Sequence, residues 1–142
     1  MNFQVTDWES DFKSLTRIRN LVFIQEQNVP IADEWDEYDK TATHFLVKNS
    51  QSESIACARV LTEEDQYHIG RVAVLNEFRN QTVGRQLMQF ILRWCNHQEP
   101  DFTIYLHAQT NRRKFYEYLG FVAEGDVFMD AGIEHVEMWY RC

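Results

Sequence analysis

Several things are missing from this 142-residue sequence, and each absence removes a class of protein. No apolar run approaches the length that crosses a bilayer as a helix. The first residues, MNFQVTDWESDF, lack the basic and apolar regions of a signal peptide, so a cytoplasmic protein without membrane contact is expected. The three cysteines, Cys57, Cys95 and Cys142, are widely spaced and form no Cys-x-x-Cys pair. That excludes a disulfide framework and leaves free thiols, with Cys57 and Cys95 as core filler. The histidines His44, His68, His97, His107 and His135 show neither H-x-x-x-H nor H-x-x-E-H spacing, so no metal is expected. A net charge of −8 speaks against nucleic-acid binding. Repeats, low-complexity tracts and linkers are also missing, and one domain over residues 1–142 follows.

The charge that is present is unevenly placed. From Glu26 to Asp39 the chain reads EQNVPIADEWDEYD, six carboxylates without lysine or arginine. From Arg79 to Arg93 there are arginines at 79, 85 and 93 and no acid, and Arg112, Arg113 and Lys114 follow later. Such density of carboxylate is self-repelling unless something cationic relieves it. A cationic ligand is one such relief, and a solvated loop is the alternative.

Hydrophobic period divides the chain into elements. Residues 2–8 read as a strand. Ser10 is a candidate N-cap for a helix with Phe12, Leu15, Ile18, Val22 and Phe23 on its apolar face. Residues 43–48, 54–62 and 67–75 read as the strands of a three-strand meander. A helix is expected from Val83 to about His97, a buried strand over 102–108, and a helix from about Thr110 to Leu119 closed by Gly120 in a left-handed C-cap. Two strands near 125–130 and 133–140 flank the turn Asp130-Ala131-Gly132. The order β, α, three β, α, β, α, ββ predicts an α/β (α+β) domain. Its sheet is mixed but mostly antiparallel, flanked by helices, with one parallel βαβ crossover from Val74 to Ile104.

At the centre of that crossover the period changes from two to three-and-four through the turn Phe78-Arg79-Asn80-Gln81-Thr82, with Gly84 as the helix opens. A helix start carries unpaired N–H groups and partial positive charge, and so suits an anion. Neither G-x-x-x-x-G-K-[ST] nor G-x-G-x-x-G is present. The segment Arg79-Asn80-Gln81-Thr82-Val83-Gly84 instead resembles motif A of the GNAT superfamily of N-acyltransferases, R/Q-x-x-G-x-G/A. Arg79 and Gly84 match, while Thr82 replaces the first glycine; its hydroxyl is expected to cap the helix or to donate to a phosphate.

A second segment, AQTNRRKFYEYLGF over 108–121, is similar to the superfamily's N-x-x-A-x-x-hydrophobe-Tyr-x-x-x-Gly-Phe. Tyr116, Gly120 and Phe121 align, with Gln109 in place of asparagine and Arg112 in place of alanine. RNLVFIQEQNVP, residues 19–30, resembles the R-x-x-V-F-x-x-E-Q-x-x-P segment of the ElaA-like branch, which also shows R-V-x-V on its core strand, here Arg71 to Val74. The resemblance covers nearly the whole chain.

The resemblance implies the GNAT fold, with two central strands splaying to admit a pantetheine arm. It implies transfer of an acetyl group from acetyl-coenzyme A, as cosubstrate, to a primary amine by direct attack in a ternary complex. Main-chain N–H groups of Val72, Ala73 and Val74 would hold the thioester oxygen. Residues 79–85 (Arg79, Asn80, Gln81, Thr82, Val83, Gly84 and Arg85), with Gln109 and Arg112, would hold the coenzyme. Tyr116 is the candidate general acid for the leaving thiolate. Glu26 and His44 are candidates for the base, each directly or through a water. Glu26, Asp33, Glu34, Asp36 and Glu37 are the expected acceptor contacts, favouring a small cationic amine or a lysine-rich peptide. A coenzyme A-binding sensor without turnover and an acidic interaction module are the rival readings, and a homodimer is compatible with all three.

Overall fold

The computed structural model describes residues 1–79 and 81–141. Its centre is one seven-stranded sheet in the order β1-β2-β3-β4-β5-β7-β6. The strands are β1 (Asn2–Thr6), β2 (Thr43–Lys48), β3 (Ser54–Thr62), β4 (Gln66–Val74), β5 (Thr103–Gln109), β6 (Phe121–Asp130) and β7 (Ile133–Tyr140). Every pairing is antiparallel except β4 with β5. This is the mixed α/β architecture with one parallel crossover that the element order predicts.

Two helical layers cover the sheet because its two faces are apolar in different places. On one face, helix α3 (Val83–Gln98) buries Leu87, Met88, Ile91 and Cys95, at steps of three and four, against residues such as Phe45, Val60, Ile69, Ile104 and Leu106. Each such aliphatic side chain contributes about 1.5–3 kcal/mol on burial. The short helix α4 (Arg113–Tyr118) joins this layer through Tyr116. On the other face, helix α1 (Trp8–Arg19) places Leu15 and Ile18 on Leu46, Cys57, Ala73 and Leu75.

The cap of α1 is Asp7, whose carboxylate accepts from the Ser10 N–H at 2.8 Å, so Ser10 lies inside the helix and is not its cap. Phe12, expected on the apolar face, is about half exposed. Beyond Arg19 the chain continues as a π-helical stretch, Asn20–Glu26, that keeps Val22 and Phe23 buried. The acidic segment after it is folded, with α2 (Ile31–Glu34) and a 3-10 turn over Glu37–Lys40. Gly120 has φ 107°, the left-handed ending expected for the tyrosine helix. Cys57 and Cys95 are buried, and burial pushes both thiols up to about 12. Cys142 lies outside the described residues. Among the described residues, no helix is long and apolar enough to cross a membrane.

Candidate functional site

The parallel pair β4–β5 is hydrogen-bonded only from Gln66↔Thr103 to Ile69↔Leu106. Beyond Leu106 the strands part. β4 also carries a bulge here: Cys57 pairs with Ala73 and Arg59 with Gly70, so Arg71 and Val72 together oppose Ala58 alone. Arg71 has φ 52°, the left-handed conformation that such a bulge uses. The result is a slot through the sheet, which opens into a cleft of about 610 Å³.

The cleft reaches both faces. On the α3 side it is lined by Thr82, Val83, Gly84 and Arg85 at the start of α3, by Arg79, and by Arg112 and Tyr116, while Gln109 lines it from the end of β5. Val72, Ala73 and Val74 form the β4 edge of the slot. These are ten of the expected coenzyme contacts and the expected acid, drawn together from three separate segments. Gln81 is not among the lining residues, and Asn80 lies outside the described residues.

Helix α3 begins without a side-chain cap. The Thr82 hydroxyl donates instead to the Gln81 carbonyl and accepts from Gln86 Nε2 at 2.9 Å, so it does not cap the helix as expected. Its first N–H groups are therefore available to an anion. Thr82 itself has φ 63°, a conformation that glycine adopts freely and a β-branched residue does not. The motif's glycine would adopt this conformation without strain, and Thr82 adopts it with strain. A Cβ at Gly84 would meet Phe115 Cζ at 3.5 Å and Val74 Cγ2 at 3.7 Å, ordinary contacts, so the packing of α3 on β4 and α4 leaves room for a methyl there.

Arg85 and Arg112 make no salt bridge or hydrogen bond among the described residues. Arg79 does. Its Nε donates to the Val74 carbonyl at 3.0 Å, and its two terminal nitrogens donate to both Glu26 oxygens, Nη2 to Oε1 at 2.9 Å. The Arg79 hydrogen bonds hold the Glu26 carboxyl below the usual range. A carboxylate so engaged is a poor proton acceptor, and Glu26 does not line the cleft. The Glu26 carboxylate, expected as a base and acceptor contact, is thus paired with Arg79 at the edge of the turn and not placed in the cleft. Next to it, Gln27 accepts from Gln109 Nε2 at 2.9 Å, tying the π-helical stretch to the end of β5.

His44 is also displaced from its expected role. It is 1% exposed beneath α1, its Nε2 lies 2.8 Å from the Asp39 carbonyl, and burial holds its pKa below the ordinary value. It does not reach the cleft.

The acidic segment is neutralised from within. Arg19 pairs with Glu34 and Asp39, each at 2.6 Å; Arg59 pairs with Asp39 at 2.9 Å and Asp36 at 2.8 Å; Arg71 pairs with Asp36 at 3.3 Å and Glu34 at 3.4 Å. Three arginines and three carboxylates alternate in a closed ring, every member touching two of opposite charge. Trp35 stacks over the Arg19 guanidinium at 4.9 Å. Burial opposes the charge of Asp36, but the Arg59 hydrogen bond and charge outweigh it and lower its pKa; at Glu34 burial wins and raises it. These arginines relieve the repulsion among the carboxylates from within the molecule. Asp36 and Glu37 do not line the cleft. Glu34 does, but its carboxylate is engaged by Arg19 and Arg71, which leaves Asp33 as the exposed member at the rim.

Tyr116 is 9% exposed, and burial pushes its phenol up to about 12. Its hydroxyl makes no hydrogen bond among the described residues. It is thus protonated at neutral pH and free to donate into the cleft.

The opposite face of the sheet contributes residues that sequence reasoning weighed only as metal ligands. His68, His107 and His135 all line the cleft there. Period-two alternation is the signal that points to them. In β5, Ile104, Leu106 and Ala108 are buried toward α3, which turns Tyr105, His107 and Gln109 the other way.

An uncapped helix start, two arginines without a salt bridge among the described residues and a phenol meet around a slot between diverging parallel strands, on a mixed α/β fold. Comparison with known proteins gives the family of that fold. The acetyltransferase (GNAT) domain model matches residues 17–142, and the chain belongs to this family. It is 36% identical over 133 residues to Protein ElaA of Escherichia coli K12, a match covering 91% of this chain and 86% of that protein. The crystal structure of Escherichia coli ElaA superposes with a TM-score of 0.90 at 33% identity, covering 99% of this chain and 100% of that one. An acyl-CoA N-acyltransferase from Pseudomonas aeruginosa gives 0.89 at 28% identity, covering 99% of both chains. An aminoglycoside 6'-N-acetyltransferase complexed with coenzyme A shares the fold alone, with a TM-score of 0.71 at 13% identity over 98% and 96% of the chains.

Proposed function

We propose that this protein is an acetyl-coenzyme A-dependent N-acetyltransferase that acts on a primary amine by direct attack in a ternary complex. The observation that carries the reading is the meeting, in one cleft, of the uncapped start of α3, the unpaired Arg85 and Arg112, and the Tyr116 phenol. Coenzyme A is polyanionic, and the first two features supply a helix dipole and charge-assisted donors for its phosphates. The pantetheine arm enters the slot from the α3 face. N–H groups of the bulged β4 segment, from Val72 to Val74, polarise the thioester carbonyl.

Tyr116 serves the leaving sulfur chiefly as a hydrogen-bond donor. A phenol near 12 facing a thiol with an ordinary pKa of about 8.5 gives up its proton at a cost of about 5 kcal/mol, so donation without full transfer is the favoured role. The buried thiols Cys57 and Cys95 take no part and suit a reducing, cytoplasmic setting.

The test is thiol release from acetyl-coenzyme A across a panel of primary amines, with acetylated products identified by mass. Turnover with at least one amine is expected. Binding of acetyl-coenzyme A without turnover on any amine would identify a sensor instead.

A further inference from the structure

With Glu26 and His44 both engaged elsewhere, the acetyl-transfer reading has no group to take the proton of the attacking amine, which is mostly ammonium at neutral pH. We infer that His107, oriented by Glu137, is that base, and that the amine sits in the open space over Gly70. The inference rests on the acetyltransferase reading above.

His107 is the first residue of β5 beyond the last β4–β5 pair, Ile69↔Leu106, so it stands where the slot opens. It faces away from α3. An amine on its side of the sheet lies across the slot from Tyr116, so it adds to the thioester carbonyl and the tetrahedral adduct then expels the thiolate beside the phenol. Across the slot on β4 is Gly70, whose φ is not in the left-handed region and whose conformation therefore does not demand glycine. A Cβ built there meets nothing within 4 Å, and the residue lines the cleft. The absence of a side chain at that point leaves room beside His107.

The imidazole is set up as a base. Its Nε2 lies 3.1 Å from Glu137 Oε1, and a carboxylate only accepts, so Nε2 carries the hydrogen and Nδ1 keeps the free lone pair. Glu137 is directly opposite His107 in the β5–β7 register, and its other oxygen accepts from the Trp139 indole N–H at 3.0 Å. Indole, carboxylate and imidazole thus form a chain in which the base is oriented by a second group and that group is held by a third. The other two histidines are placed differently. His68 is stacked on Tyr105, with Glu63 Oε2 3.7 Å from its Nδ1, beyond hydrogen-bond reach. Partial burial, with His107 beside it, lowers its pKa to about 4, too weak a base for an ammonium. His135 donates from Nδ1 to the Ile133 carbonyl at 2.7 Å and has no carboxylate to stabilise its cationic form.

The step balances. One ammonium proton passes to His107 Nδ1, and Glu137 stabilises the imidazolium. The freed lone pair forms the C–N bond, the C–S bond breaks, and its electron pair leaves on sulfur, hydrogen-bonded by Tyr116. Nitrogen sheds its second proton, which the thiolate takes up through water, and His107 returns its own proton to solvent.

The experiment compares wild type, His107→Gln, Glu137→Gln and Gly70→Val with two acceptors at neutral pH: 2-phenylethylamine, which is protonated, and 2,2,2-trifluoroethylamine, which is already largely uncharged. For His107→Gln we expect kcat/KM for phenylethylamine to fall about a hundredfold and that for trifluoroethylamine less than about tenfold, since only the first amine needs a base before attack. Glu137→Gln should show the same pattern more weakly. Gly70→Val should raise KM for both amines. The thermal shift with acetyl-coenzyme A should be retained in all three variants, which excludes misfolding. Equal losses for the two amines in His107→Gln, or no loss, would overturn the assignment. Should wild type bind acetyl-coenzyme A but acetylate no amine, the acetyltransferase reading fails first and the base falls with it.

Discussion

Glu34, Asp36 and Asp39 each touch two arginines, whereas Arg85 and Arg112 form no salt bridge among the described residues. Both groups come from stretches of the chain that carry one sign of charge, yet they have opposite uses. The acidic stretch meets arginines from α1, β3 and β4 and becomes a buried, neutral brace that holds the segment after the π-helical stretch against the sheet. At the starts of α3 and α4, Arg113 pairs with Glu117, but Arg85 and Arg112 form no salt bridge among the described residues and face a cleft. A run of like charge therefore says that a counter-charge exists, and only the fold says whether it is internal or a ligand. Arg79 stands between the two cases, lining the cleft but already held by Glu26.

Breaking the ring should have the largest effect. Asp39→Asn or Arg19→Met leaves a buried partner uncompensated, so stability should drop by about 3–5 kcal/mol in denaturant unfolding. Arg112→Ala, on the other side of the comparison, should leave the unfolding midpoint nearly unchanged. If the two variants were equally stable, the ring would not be the brace described.

Removing the Tyr116 hydroxyl comes next. Tyr116→Phe keeps the buried ring and loses a group with no protein partner, so the melting temperature should hold while turnover falls about a hundredfold. Near-normal turnover would make Tyr116 a packing residue.

Arg85→Ala and Arg112→Ala should each weaken coenzyme A binding by about 1–3 kcal/mol in titration calorimetry, the scale of charge-assisted hydrogen bonds. Arg79→Ala sharpens the contrast: part of its loss should come from releasing Glu26, and Glu26→Gln alone should tighten binding by up to about 1 kcal/mol, as an exposed pair competing with phosphate predicts. Weaker binding in Glu26→Gln would show that the pair positions the turn for the coenzyme and does not compete with it.

The smallest effect concerns Thr82. Thr82→Gly relieves a left-handed β-branched residue, so stability should rise by about 1 kcal/mol with coenzyme affinity unchanged or slightly higher. A loss of affinity would assign the hydroxyl a direct contact.

Local patterns in the sequence mark the elements around the α3 start. The step of three and four in α3, the apolar, β-branched runs of β2 to β4 and the glycine after the tyrosine helix all depend on neighbours within a few residues, and each matches the fold. The ring was not legible, because its members come from α1, the acidic segment, β3 and β4, up to 52 residues apart between Arg19 and Arg71, and no local rule pairs them. The acceptor side failed for a similar reason. His68, His107 and His135 lie on three strands that only the β4–β5–β7 order brings together. Alternation in TIYLHAQ and IEHVEMWY did indicate which residues face away from α3, but not that a slot opens beside them.

The most direct test is thermal unfolding of the wild-type protein with acetyl-coenzyme A and, in parallel, with ATP at the same concentration. If the α3 start and its unpaired arginines form a coenzyme site, acetyl-coenzyme A at about a hundred times its Kd adds roughly 2.7 kcal/mol and raises Tm by several degrees, with a much smaller shift from ATP. An unchanged Tm at millimolar acetyl-coenzyme A, or an equal shift with ATP, would contradict the account.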